Sequence, residues 1–327
     1  MMNQDSRQPA EFNAVAAPTR LQLIKQNLTA FIDSDFLYYF WKSKITVMAF
    51  FWTVALLISG IFSGWLAPYS IFDASSFDLM NSELPPSWLT GGDAHFWLGT
   101  DVQGRDLLSL MLYGLHISLI VGLISVGLSL LIGVLLGVLS GYLGGLVDTV
   151  IMRFADAMLS IPTIMFSLLI SGVARGILPK ALQGEMAMPI IVASIALTGW
   201  MQYARTIRSL TILEKHKEYV LASKVSGGRS LHIMFAHILP NVLSPVSVLA
   251  TLHLGLAILT EATLSFLGVG MPPDQPSLGT LINEGNQYLF SGQWWVVLFP
   301  ALVLVTLSLA FNILGDWLRD ILNPKLR

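Results

Sequence analysis

Cysteine is absent from all 327 residues. That excludes disulfides, thiolate metal sites and cysteine nucleophiles. Charge is also scarce. Asp, Glu, Lys and Arg make up 12% of the chain, against about 25% in an ordinary soluble domain. The net charge of −2 comes with no basic stripe interleaved with aromatics, which argues against nucleic acid as a partner. Several catalytic signatures are missing as well. There is no Gly-Lys dipeptide, hence no phosphate-binding loop of the Walker type. There is no His-Glu-x-x-His, no Gly-x-Ser-x-Gly and no dense His/Asp/Glu cluster at ligand spacing. The expectation is a non-catalytic chain with no metal or cofactor of its own and no means of hydrolysing ATP unaided.

Apolar sequence fills the space that charge leaves. Hydrophobic residues are 54% of the chain and mean hydropathy is +0.68, the signature of an all-α polytopic membrane protein. A hydrocarbon layer about 30 Å thick needs roughly 20 apolar residues of helix. Six stretches meet that length: about 45–67, 113–139, 150–172, 187–207, 243–266 and 294–314. The second lies inside a charge-free run, Leu107 to Val147, too long for one span. Pro162 predicts a kink in the third span and Pro300 another in the sixth.

Basic residues set the orientation. Arg105 is the only one between the first two spans, Arg175 and Lys180 lie between the third and fourth, and none lies between the fifth and sixth. The opposite side collects Lys42, Lys44, Arg205, Arg208, Lys215, Lys217, Lys224, Arg229 and Arg319, with further Arg and Lys in both tails. Both termini and the 208–242 loop are therefore assigned to the cytoplasm, and the acidic loop 68–112 to the outside. The first 44 residues hold Asp5, Glu11, Asp33 and Asp35 and no long apolar run, so a cleaved signal peptide is not expected. Within them, residues 28–44 mix aromatics with Lys42 and Lys44 and read as a helix lying on the membrane surface, after a polar tail.

Several features stand out from this frame. Small residues recur every fourth position at Ser125, Ser129, Gly133, Gly137 and Gly141, a ridge that lets another helix backbone approach closely, in this subunit or another. Arg153 and Asp156 share a helix face as a self-satisfied pair or a functional one. Glu261 is a carboxylate within the fifth span, so it lines a pathway, or is hydrogen-bonded inside protein, or relays protons. His116 and His253 are lone histidines, best read as packing or hydrogen-bonding groups. Near the inner end of the sixth span, Asp316, Arg319 and Asp320 read as a local charge cluster.

The last feature is the cytoplasmic insert Glu218–Asn241. A helix from Glu218 to Ser226 has small residues at its centre, Ala222 and Ser223, and ends at Gly227-Gly228. A second piece, about Leu231 to Ile238, is expected to stop at Pro240. A short helix with a small-residue centre suits a groove on a partner, with Glu218, Lys224 and Arg229 fixing orientation. A plain solvated loop is the alternative.

Glu218, Ala222 and Gly227, followed by His237-Ile238-Leu239-Pro240-Asn241, resemble the EAA loop of permease subunits of bacterial ABC importers, with Ser223 in place of the usual second alanine. The segments Leu98–Ser109, Tyr113–Leu119, Gly141–Asp156, Leu264–Pro273 and Phe311–Lys325 are similar, in that order, to the dipeptide/oligopeptide/nickel group and its "C" permease. His116 replaces a frequent arginine and Leu278 a frequent tryptophan. The resemblance implies a type I importer core of five helices (113–327) after one N-terminal span, six spans in all across the bacterial inner membrane with both termini on the cytoplasmic side. It also implies a homologous second permease, two ATP-binding subunits carrying ATP and Mg, and a periplasmic peptide-binding protein. Its coupling helix maps onto Glu218, Tyr219, Ala222, Ser223, Gly227, Gly228 and Arg229. The cargo implied is short peptides, with nickel or another small solute second. A proton-coupled secondary transporter using Glu261 is a rival from another class.

Overall fold

The computed structural model describes residues 35–71 and 78–322. The polar tail, and residues 28–34 of the surface-helix expectation, lie outside the described residues, as do Lys325 and Arg327. Two units are distinguished, residues 1–44 and 45–327. The described part of the first is one short helix, α1 (Asp35–Lys42), in which the Phe40 and Trp41 rings meet edge to face.

The second unit is built of helices joined by loops, the longest described one running from residue 82 to 106. Among its described residues the one β contact is an isolated bridge between Thr100 and Asp106. Helix α2 (Lys44–Ile61) begins at the boundary of the two units. Helix α3 (Leu107–Leu143) takes up most of the charge-free run as a single rod. Asp106 caps it, accepting the Ser109 N–H at 2.8 Å and the Ser109 hydroxyl at 2.6 Å. At 1.5 Å per residue the 37-residue rod is roughly 55 Å long, so it outruns the hydrocarbon layer.

The third expected span is not continuous. Helices α4 (Gly145–Leu159) and α5 (Thr163–Ile177) meet at 93°. Pro162 has no N–H to donate and disfavours helical backbone at Ile161, so the chain turns there where a milder kink was expected. Helix α6 (Ala187–Glu214) runs past its expected end. Helix α7 (Glu218–Val225) follows. Helix α8 (Leu239–Phe266) is preceded without interruption by a helical turn from Ser230 and a π turn, Ile233–Ile238. The helix therefore does not stop at Pro240. Pro240 falls in the first turn of α8, where a missing N–H is tolerated, just past the widened π turn. Helix α9 (Leu278–Tyr288), capped by Ser277, is an element the sequence reading did not anticipate. Helix α10 (Trp294–Leu322) closes the described chain and contains Pro300.

Among the described residues, five helices are long and apolar enough to cross a membrane, and the bent α4–α5 pair makes six if taken as one span. The ridge of small residues places α3 against α6 in parallel. Ser129 faces Gly199, Gly133 faces Tyr203, and Gly141 faces Thr211. Helix α8 is antiparallel to α3, with Gly122 against Ile258 and Ser118 against Glu261, and α10 is antiparallel to α8, with Gly255 against Ser308 and Gly315 against Leu252. These four rods bring the inner end of α6, all of α7 and the start of α8 to one end of the bundle, here called the basic end.

Candidate functional site

Helix α7 is held to the bundle by one apolar side chain and one hydroxyl. Val220 is buried among Ile233, Met234 and Ile238. The Tyr219 hydroxyl donates to the carboxylate of Glu214, the last residue of α6. Asn241, in the first turn of α8, donates its side-chain amide to the same Tyr219 oxygen at 3.1 Å and to the His237 carbonyl at 2.7 Å. Lys217 pairs with the Glu214 carboxylate at 2.8 Å. Partial burial and the bond to Glu214 push the Tyr219 phenol up to about 12, so it remains a proton donor across physiological pH. At the far end of α7, the Lys224 ammonium lies 5.2 Å from the Tyr142 ring of α3.

Two glycines end α7. The Gly228 N–H bonds to the Ser223 carbonyl at 2.9 Å and the Gly227 N–H to the Lys224 carbonyl at 3.1 Å. This is a Schellman cap, and Gly227 takes the left-handed backbone it requires, φ +81°. Ser223 is thus tied into the cap through its backbone. The opposite face of α7 is open. Glu218, Leu221, Ala222 and Val225 are exposed, with Val225 at 89%, and Arg229 is exposed just beyond the cap. Of the residues grouped as the coupling set, Glu218, Ala222 and Arg229 face outward, while Tyr219 is turned toward the joints with α6 and α8.

The basic end has a second polar knot. Arg208 of α6 grips Asp148 of α4 through two bonds, one of them 2.6 Å, and Ser140 of α3 donates to the same carboxylate. Lys215 donates to the Gly141 carbonyl at 3.0 Å. Asp156 pairs with Arg205 at 2.6 Å, not with Arg153, whose exposed side chain joins none of the ion pairs among the described residues. An i, i+3 spacing permits a pair, but here a cation on a facing helix takes it. Arg319 likewise makes no ion pair among the described residues. It lines a cleft of about 430 Å³ with Thr206, Ser244, Pro245 and Leu252.

Glu261 is fully buried and accepts hydroxyls from Ser118 of α3 at 2.8 Å and Ser265 at 2.7 Å. Ser118 in turn accepts the Leu278 N–H and Ser265 the Met271 N–H. The carboxylate is therefore the centre of a closed hydroxyl cage that pins the start of α9. That geometry favours the structural alternative over pathway lining. His116 bonds to the Gly60 carbonyl at 2.9 Å, linking α2 to α3, and His253 packs edge to face on Tyr203.

Arg105 was legible only as a lone external cation. In the structure it is buried, bonded to Asp101 at 2.6 Å and to Glu284 of α9 at 3.3 Å. Burial raises the Glu284 carboxyl above its usual range while Arg105 opposes the rise. Trp295 of α10 donates to the Thr100 carbonyl at 3.3 Å. The segment Leu98–Ser109 is thus a built part of the bundle. The density of Gly, Asp and Arg in GTDVQGRD was the available signal.

Similarity to known proteins bears on the whole chain. Residues 133–327 match the family described as "Binding-protein-dependent transport system inner membrane component". The dipeptide transport system permease protein DppC of Haemophilus influenzae is 38% identical over 293 residues, 90% of this chain and 95% of that one. DppC of Escherichia coli K12 is 39% identical over 90% of this chain and 93% of its own length. The oligopeptide transport system permease protein OppC of Bacillus subtilis is 35% identical over 98% of this chain and 97% of its own. Among solved structures, a chain of the MetNI methionine ABC transporter in an inward-facing form superimposes with a TM-score of 0.51 at 20% identity, covering 65% of this chain and 96% of that one. At that identity the likeness speaks for the fold alone, an importer permease fold. With a family match over more than half its length and relatives this similar from end to end, the chain belongs to the binding-protein-dependent transport system inner membrane components, as a multi-pass permease subunit of an ABC importer.

Proposed function

We propose that this subunit moves short peptides inward across the bacterial inner membrane, driven by ATP hydrolysed on two separate subunits, one of which seats on α7. A homologous second permease completes the pathway, and a periplasmic binding protein delivers the cargo. Both termini and α7 face the cytoplasm, residues 68–112 face outward, and residues 113–327 form the permease domain. The observation that carries the coupling reading is the outward face of α7. Its small apolar surface of Leu221, Ala222 and Val225 is left uncovered by the bundle and flanked by Glu218 and Arg229. Peptide cargo is supported by relatives named for dipeptides, di/tripeptides and oligopeptides. ATP binding shifts the permease between inward and outward states only through contacts that differ between them, and the face of α7 is where such contacts form.

The test is uptake by the complex, purified with its partner subunits and reconstituted in liposomes. A labelled dipeptide accumulates only with ATP inside the cytoplasmic-side compartment, and excess Ni²⁺ does not compete. Accumulation without ATP, driven by a proton gradient and abolished by Glu261→Gln, would turn the reading to secondary transport. Val225→Glu puts a carboxylate on the docking face, so the ATP-binding subunit seated there is lost on purification. If both ATP-binding subunits stay bound, α7 is not a seat.

A further inference from the structure

Among the described residues, Tyr219 is the only side chain of α7 that hydrogen-bonds outside its own helix, and it bonds on both sides. Toward α6 it donates to Glu214, whose carboxylate is also held by Lys217. Toward α8 it accepts from Asn241 at 3.1 Å. The other ties of α7 are of a different kind. Val220 makes apolar contacts with Ile233 and Ile238, which are non-directional. Lys224 over Tyr142 is a single cation on a ring face. Directional bonds hold a geometry under displacement, whereas apolar contacts permit sliding. The helix beyond Asn241 also rests on the π turn Ile233–Ile238, whose His237 carbonyl is bonded by the same Asn241 amide. Beside the Val220 contacts and the chain itself, the directional link from α7 to the register of α8 therefore runs through one amide and one phenol.

Building on the coupling reading above, we propose that Tyr219 is the joint of the transmission: a positioning residue whose hydroxyl, bonded to Glu214 and Asn241, makes α6 and α8 follow α7 together. It is not a docking residue. Its ring packs edge to face on His237, 6.3 Å between centroids, so the ring alone keeps α7 seated. Tyr219→Phe keeps that packing and removes only the joint.

The experiment compares wild type and Tyr219→Phe in the whole reconstituted complex, with labelled dialanine as the probe and ATP hydrolysis measured in the same vesicles. The Phe variant assembles and hydrolyses ATP as wild type does, but dialanine moved per ATP falls about fivefold, the factor equivalent to one lost hydrogen bond of about 1 kcal/mol. A merely structural role would lower assembly and both activities in proportion and leave that ratio alone, so an unchanged ratio overturns the proposal. Asn241→Ala approaches the same bond from α8 and covers the case in which Tyr219→Phe fails to assemble. It should lower the ratio to a similar degree, and an unchanged ratio again overturns the joint. Where both single variants assemble, the double variant should be no worse than either, and additive losses mean the linkage does not run through this bond. Failure of the coupling reading itself is seen separately, as retention of both ATP-binding subunits in Val225→Glu.

Discussion

The seam between α3 and α6 and the attachment of α7 both join helices over a few residues, but by opposite means. Along the seam, backbones touch. A methyl group added at Gly133 would come within 2.4 Å of Tyr203 Cβ and 2.7 Å of the Trp200 carbonyl. No polar pair is needed because close packing alone holds helices inside lipid, where the hydrophobic effect gives them no drive to associate. The α7 attachment has one buried valine and a chain of hydrogen bonds through Tyr219, and its outer face is bare. The seam has no slack and the attachment has little bulk. A frame that must stay put and a lever that must be pushed call for that difference.

The contrast breaks first at the seam. Gly133→Val forces α3 and α6 apart against backbone atoms that cannot give way. It should destabilise the chain by about 3 kcal/mol through overpacking, read as a large fall in detergent unfolding temperature with little folded protein recovered. An unfolding temperature within a degree or two of wild type would mean the seam is looser than drawn. The next effect is at the polar knot beside the lever. Arg208→Ala leaves the half-buried Asp148 carboxylate without its two bonds and should cost about 1.5 kcal/mol, discounted for solvent access. Denaturant titration would show it, and pairing it with Asp148→Ala should recover part of the loss. Smaller still is Glu261→Gln. An amide keeps an acceptor within the hydroxyl cage, so ATP-driven uptake should stay within about twofold of wild type, where a proton-coupling site would lose it entirely. Ser223→Ala should do least. Its backbone carbonyl, not its side chain, closes the Schellman cap, so both stability and recovery of ATP-binding subunits should shift by under about 0.5 kcal/mol. A clear loss of those subunits would make the Ser223 hydroxyl a docking group after all.

How much of this was readable beforehand depends on the range of the interaction involved. The apolar runs and the four-residue spacing of Ser125 to Gly141 are local patterns, and the structure finds α6 lying on that ridge of α3. The end of α7 was equally local, two glycines closing one helix. Pro162 marked the right place, though its effect is a 93° break where a kink was expected. Pro240 misled, because a π turn just before it lets the helix continue. Pairings across helices were out of reach. Asp156 had Arg153 at helical spacing and Arg205 far along the chain, and only packing brings the second to 2.6 Å. Arg105 was legible only as the one basic residue of its loop, and the structure buries it against Glu284 of α9. Tyr219 was grouped with docking residues by its neighbours in sequence, and its role as a joint depends on Glu214 and Asn241 arriving from two different helices.

By itself, then, the sequence determined that this is a cysteine-free, charge-poor chain of membrane helices with one exposed helical insert among its basic residues. It determined as well the family to which that insert and its flanking motifs belong. The first properties follow from composition and from periodicities that each segment carries alone, the family from the resemblance of its motifs. Only the tertiary structure decided which charges meet, that Glu261 is enclosed by hydroxyls, and that one phenol ties α7 to both α6 and α8. The physical reason is that hydrogen bonds and ion pairs act over about 3 Å, and which groups come that close is set by how whole helices pack.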